Sequence, residues 1–249
     1  EVTGASSYTK LGYNALNMNI AYKLYSLYSR TIIFTYLTYE KADNTEMLNY
    51  QNDGLLHSQN YMDGGKKETV NATLYANKGL GNLPIDAKLT TTFLWNRNEI
   101  AYNSIPFKML VGNLKTDLGF VSRFKIPFNV EIDGLYNKLT NKVTDLNIDS
   151  GDKEFGGTAK LIFAKNKFAS FVTGKWNKIE NTSGSKILRD IDFSISYKIK
   201  KFTCKLSGTN IFHLNGINWL KQNVTPTYTS YVRYKQHSGN VMLSLTYQL

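Results

Sequence analysis

The sequence predicts an all-β chain: an antiparallel transmembrane β-barrel, of which about eleven strands lie in these residues. Three observations carry that prediction. The first is strict alternation from Asp190 to Ile199: Ile191, Phe193, Ile195, Tyr197 and Ile199 fall on one side, and Asp190, Asp192, Ser194, Ser196 and Lys198 on the other. A two-residue period means a strand with one apolar and one polar face. The second is the C-terminus, where Val241, Leu243, Leu245, Tyr247 and Leu249 share a face; about ten tilted residues cross the ~25 Å apolar band of a barrel. The third is the alternation of tight turns with polar loops of about eight to twenty-five residues, the pattern of short periplasmic turns and longer extracellular loops.

Composition is compatible with this fold. The chain has 249 residues, 42% of them hydrophobic, and a mean hydropathy of −0.33. It contains no apolar run of ~18 residues, which excludes a transmembrane helix but not barrel strands that turn only every second residue toward lipid. The 17 Tyr and 13 Phe suit aromatic girdles at the two interfaces, or an aromatic sandwich core. Cys204 is the only cysteine, so neither an internal disulfide nor a cysteine metal cluster is possible. The net charge of +11 is spread over many segments without a basic arm, which argues against nucleic acid. It suits a surface facing phosphate-rich lipopolysaccharide, or a lumen that attracts anions. Glu1 to Ala5 shows no signal peptide, so the expectation is either cleavage or a start inside a longer protein.

In chain order, residues 1–12 read as polar loop. Leu16, Met18, Ile20, Tyr22 and Leu24 mark the first strand, and a turn at 26–30 leads to a second over 31–40. Residues 41–66 read as a polar loop ending in Asp63-Gly64-Gly65. Val70 to Ala76 and Ala87 to Trp95 alternate on either side of a turn at 79–84. A loop to about residue 105 follows. Next come a long strand through Leu110, Leu114 and Phe120, a turn at 125–127, and a strand through Phe128, Ile132 and Tyr136. A charged loop spans 140–153. Residues 156–164 and 168–178 form a hairpin about 165–167, loop returns at 179–186, and the closing strands follow.

Few residues suggest chemistry. His57, His213 and His237 fall in loops without the spacing of a metal pair. Asp145-Leu146-Asn147-Ile148-Asp149-Ser150-Gly151 resembles the start of a calcium loop, but the sixth and twelfth positions are Ser150 and Gly156 where Gly and an acid are needed. Gly79-Leu80-Gly81 precedes no helix and reads as a turn. No Gly-x-Ser-x-Gly elbow occurs. The expectation is therefore no enzyme, no metal and no cofactor. The last loop, 213–237, holds the candidate binding residues Trp219, Lys221, Tyr228, Tyr231, Arg233 and Tyr234. Aromatic and basic residues on a long loop suit a ligand surface, and equally an aromatic girdle on a strand extension.

Thr209-Asn210-Ile211-Phe212, a long loop, and then Val241 to Tyr247 at the terminus resemble the end of TonB-dependent receptors, within the outer-membrane β-barrel protein group. The strand pattern is similar over most of the chain, and residue matches lie in about the last fifty positions. In that family Asn, an aliphatic residue and Phe precede the last extracellular loop, and the final residue is usually Phe, where Leu249 stands here. The resemblance implies TonB-dependent uptake of an extracellular ligand across the cell outer membrane. The implied partners are outer-membrane lipid and lipopolysaccharide, the TonB complex through a plug that is not in residues 1–249, and a surface lipoprotein.

Strand parity adds an expectation. If the last strand ends in the periplasm, the turns at 200–201, 165–167, 125–127, 79–84 and 26–30 all lie there and Glu1 lies outside. An even-stranded barrel has both termini in the periplasm, so about eleven strands imply further strands before Glu1. Eleven is half of the 22 strands of a plugged transporter, which makes residues 1–249 its C-terminal portion. A passive porin or secretion pore, and a soluble all-β binding or adhesion protein, are the competing readings.

Overall fold

The computed structural model describes residues 14–53, 56–181, 184–224, 229–236 and 238–247; only the backbone is described at 14, 52, 53, 56, 57, 217–224 and 229–236. The chain is all-β. β1 (Asn14–Ser26), β2 (Thr31–Asp53), β3 (Leu56–Gly79) and β4 (Ile85–Tyr102) are followed by β5 (Ile105–Ser122), β6 (Phe128–Val143) and β7 (Ile148–Lys165). Then come β8 (Phe168–Asn181), β9 (Gly184–Ile199), β10 (Phe202–Thr209), the hairpin β11 (Ile217–Val224) and β12 (Thr229–Gln236), and last β13 (Asn240–Tyr247). Eleven strands form one antiparallel sheet in the order β1 to β10 and then β13, while β11 and β12 pair only with each other. The sheet is open: β1 and β13 are its edges and do not pair with one another.

The five tight turns expected from the sequence all form, and all lie at one end of the sheet. Asn166-Lys167 and Lys200-Lys201 are two-residue hairpin turns, with Asn166 at φ 54° and Lys200 at φ 54°. Three neighbouring turns at this end are tied together through Asp86. Its Oδ2 lies 2.6 Å from Arg123 Nε and its Oδ1 3.6 Å from Arg30 Nη2. Both contacts are ion pairs. Arg30 also donates to the Leu83 carbonyl at 3.3 Å. Its guanidinium occupies the space a Cβ at residue 79 would need, and Gly79 leaves that space free.

At the other end the expected loops are strands. Residues 41–53 and 56–66 of the polar stretch continue β2 and β3 as one ladder, with irregularities between Asp43 and Met47. Asn44 at φ 62° and Gly64 at φ 92° bend the pair there. β2 then takes the place beside β4, pairing in parallel with it at Asn49↔Ala101 and Tyr50↔Tyr102. That crossing holds most of the buried apolar residues, Met47, Ile100 and Ala101, around a fully buried Asn49 whose Oδ1 accepts the Ser104 N–H at 3.1 Å. The expected loop at 96–105 is the end of β4 and an Asn103-Ser104 turn, both residues at positive φ. The charged loop at 140–153 shrinks to a 3₁₀ turn, Thr144–Leu146, with strand on both sides. Residues 179–181 and 184–186 are strand, and 182 and 183 lie outside the described residues. The last loop contains the β11–β12 hairpin.

The physical reason is common to all of these. Alternating hydrophobicity marks only the part of a strand whose two faces meet different surroundings, whereas the backbone ladder needs no such contrast. β2 has 23 residues, about 75 Å at ~3.3 Å per residue.

The register places one apolar face across all eleven strands. Following paired positions, Ile20, Leu37, Ala72, Phe93 and Leu114 share it on β1 to β5. Phe120, on the same face of β5, pairs with Ile132, and Ala159, Gly174, Ile191 and then Phe193, Gly208 and Val241 continue it to β13. Ile20, Ile132, Leu161, Val172, Ile195 and Leu243 are among its exposed members. Phe193 is half-buried because its ring covers Gly208, where a Cβ would lie 2.5 Å from Phe193 Cε1. The opposite face is polar but not uniformly open: Ser194 is buried, at 5% exposure, so of the polar-face residues Ser194 and Ser196 only Ser196 has room for a large charged side chain.

Candidate functional site

The polar face carries a set of ion pairs. Lys160 meets Glu131 at 3.2 Å, Lys115 meets Asp117 at 3.3 Å, Lys67 meets Glu40 at 3.2 Å, and Lys175 meets Asp192. On this face, β5 to β9 form a pocket of about 350 Å³. Asp117, Asp133, Thr158 and Lys175 line it from four successive strands, and Gly134 and Gly157, register partners, contribute backbone. Thr158 Oγ1 donates to Asp133 Oδ2 at 3.3 Å.

One wall of the pocket is the turn that follows β10. Asn210, at φ 50° and ψ 47°, breaks the strand into a 3₁₀ turn, Ile211–His213; Asn tolerates this left-handed conformation better than most residues. Two carboxylates of β9 hold the turn. Asp192 Oδ1 accepts the Asn210 N–H at 2.9 Å, and Asp190 Oδ1 accepts the Phe212 N–H at 3.1 Å and the Ile191 N–H at 2.8 Å. Asp190 Oδ2 lies 2.9 Å from His213 Nδ1. The His213 carbonyl accepts the N–H of Gly216 at 2.9 Å and of Gly239 at 3.0 Å, so both ends of the β11–β12 excursion are tied to one residue. A Cβ at Gly239 would collide with the carbonyl oxygens of Asn210 and Thr209.

The expected binding residues divide. Tyr228 lies outside the described residues, as does His237. Trp219, Lys221, Tyr231, Arg233 and Tyr234 lie on the hairpin, with Trp219 opposite Tyr234 and Leu220 opposite Arg233 in the register. The backbone of β11 approaches β7, so the hairpin reaches back over the sheet. His57 lies on the distal part of β3 rather than in a loop. His213 is engaged with Asp190. Asp145 to Gly151 does not wrap around a central point: Asp145 Oδ2 accepts the Lys108 N–H at 3.1 Å, and strand resumes at Ile148. Among the described residues no group of three His, Cys, Asp or Glu side chains is placed to hold a metal.

Sequence reasoning missed the pocket. Asp190 and Asp192 were legible as polar-face residues, but their service to a turn some twenty residues downstream requires the β9–β10 register. Asp117, Asp133, Thr158 and Lys175 come together only through the pairing of four strands. No family model matches the chain, and the search of curated proteins finds no match.

Proposed function

We propose that this chain forms part of the wall of an outer-membrane transporter barrel, with TonB-dependent uptake of an extracellular ligand as its activity. One observation carries the membrane reading: a single apolar face runs across eleven strands, with a polar, charged face opposite it. On β9 that face runs from Ile191 to Ile199; eight steps of ~3.3 Å at a tilt of ~40° cover about 20 Å, close to the ~25 Å band of such barrels. In this reading the polar face lines the lumen and the pocket beside His213 lies on the ligand's path. The two open edges, β1 and β13, take up further strands of the barrel, and a plug domain on those further residues contacts TonB. The β11–β12 hairpin stands outside the cell and offers Trp219, Lys221, Tyr228, Tyr231, Arg233 and Tyr234 to the ligand.

Two measurements test this. The chain is expected to require detergent or lipid; a monodisperse aqueous preparation without either rules the barrel out. Ile195→Arg, near mid-band, is expected to cost ~2–4 kcal/mol of folding into lipid, whereas Ser196→Arg is tolerated. Equal costs at the two positions refute the assignment of faces.

A further inference from the structure

The tight-turn end of the sheet is strongly basic. Its last two turns and their flanks carry Lys165, Lys167, Lys198, Lys200 and Lys201 without one acidic residue between Phe163 and Phe168 or between Tyr197 and Thr203. The Lys198 N–H donates to the Lys167 carbonyl at 2.9 Å, which sets the two turns side by side. Lys165, Lys167 and Lys200 are exposed, and none of them has a carboxylate partner among the described residues. The opposite end differs: there Lys178 meets Glu180, and Asp145 and Lys142 stand close in sequence. The only carboxylate in the five tight turns and their immediate flanks, Asp86, is already shared by two arginines.

An aromatic hollow lies directly beside these lysines, at the border of the apolar face. It has a volume of about 500 Å³ and is lined by Phe163, Phe168 and Tyr197 together with Lys165 and Lys167. Phe163 also borders a second hollow of about 350 Å³, lined by Phe128, Leu161 and Val172. The Phe163 ring centroid lies 4.7 Å from Phe128 and 5.6 Å from Phe168, so the floor is continuous from the basic turn into the apolar face. From Lys165 to Leu161 it extends about 13 Å at ~3.3 Å per residue.

We propose that this groove binds an anionic phospholipid, with the phosphate at Lys165 and Lys167 and one acyl chain along Phe163, Phe128, Leu161 and Val172. The inference rests on the membrane reading above and adds to it a lipid of defined charge at a defined place. Two features select the occupant. Unpaired lysines call for a phosphate-bearing anion, and an aromatic and aliphatic track leading away from them calls for an attached hydrocarbon chain. A free anion would leave the track uncovered, and an uncharged lipid would leave the lysines without a partner.

The test uses the full chain in nanodiscs of phosphatidylcholine, with and without phosphatidylglycerol, and counts retained lipid by native mass spectrometry. Wild type is expected to retain phosphatidylglycerol over phosphatidylcholine. Lys165→Gln/Lys167→Gln is expected to bind it roughly 30-fold more weakly, from about fivefold per surface lysine. Lys138→Gln/Lys142→Gln, at the other end of the sheet, serves as control and retains lipid as wild type does. Circular dichroism checks that each variant is folded. Equal retention of the two lipids by wild type, or unchanged retention by the Lys165/Lys167 variant, overturns the proposal and leaves the membrane reading standing. Displacement by millimolar inorganic phosphate, beyond that caused by chloride at equal ionic strength, also overturns it, because the site would then read phosphate alone. A chain that enters neither nanodisc and stays monodisperse in water overturns the membrane reading first.

Discussion

Asp190→Ala opens the base of the β11–β12 hairpin. The carboxylate accepts the Phe212 N–H at 3.1 Å and contacts His213 Nδ1 at 2.9 Å, while its own side chain is 11% exposed. Hydrogen bonds to charged groups contribute ~1.5–3 kcal/mol each. The Phe212 bond is open to solvent, so the lower end applies to both contacts, and the pair is worth about 3 kcal/mol of local opening. That equals roughly a 100-fold loss of protection at the Phe212 amide. Global stability changes less, because the β9–β10 ladder from Phe193 to Ile199 does not depend on Asp190. Hydrogen exchange of the detergent- or lipid-solubilised chain, read at Phe212 and His213, measures the effect, and protease cleavage between 214 and 238 follows it. Asp190→Asn keeps a neutral acceptor and is expected to lose about a third to a half as much free energy. Unchanged exchange at Phe212 in Asp190→Ala would refute the reasoning, since water or Asp192 would then be replacing the carboxylate without loss.

Three further outcomes are expected. Asp86→Ala separates the first, third and fifth connections and is expected to cost ~2 kcal/mol, from up to about 1 kcal/mol for each ion pair the carboxylate makes with an exposed arginine; the urea midpoint of the refolded chain reports it. The Glu180 carboxyl is held below the ordinary glutamate range, first by its hydrogen bond to Lys178 and then by that ammonium's charge, against a small opposing effect of burial. A depressed carboxyl stabilises the fold above its ordinary pKa and loses that contribution as pH falls through the depressed value. Carboxyl carbon chemical shifts should therefore show Glu180 titrating late on acidification, and Lys178→Gln should move the transition to higher pH. A cysteine introduced at Gly216 is expected to react with a membrane-impermeant reagent on whole cells; no reaction by an inserted chain would place the hairpin on the wrong side.

The sequence by itself determined the strand segments that have one apolar and one polar face, because there the alternation is written directly in the residues. Ile191 to Ile199 and Val241 to Tyr247 are legible for that reason, and so are the tight turns at Asn166-Lys167 and Lys200-Lys201 that separate such runs. The ladders beyond those segments were not legible. Residues 41–53 and 56–66 pair through backbone groups while both faces meet polar surroundings, so periodicity vanishes where the hydrogen bonds continue. The crossing of β2 to β4 likewise depends on the irregularity near Asn44 and Gly64, not on any apolar pattern. Only the tertiary structure decided the sites. Asp117, Asp133, Thr158 and Lys175 become neighbours through the register of four strands, and Asp190 meets Phe212 and His213 because β10 returns antiparallel to β9. A residue's face follows from its parity along the strand, which the sequence carries. Its neighbours across the sheet follow from register, which is set by hydrogen bonds that look alike for every residue.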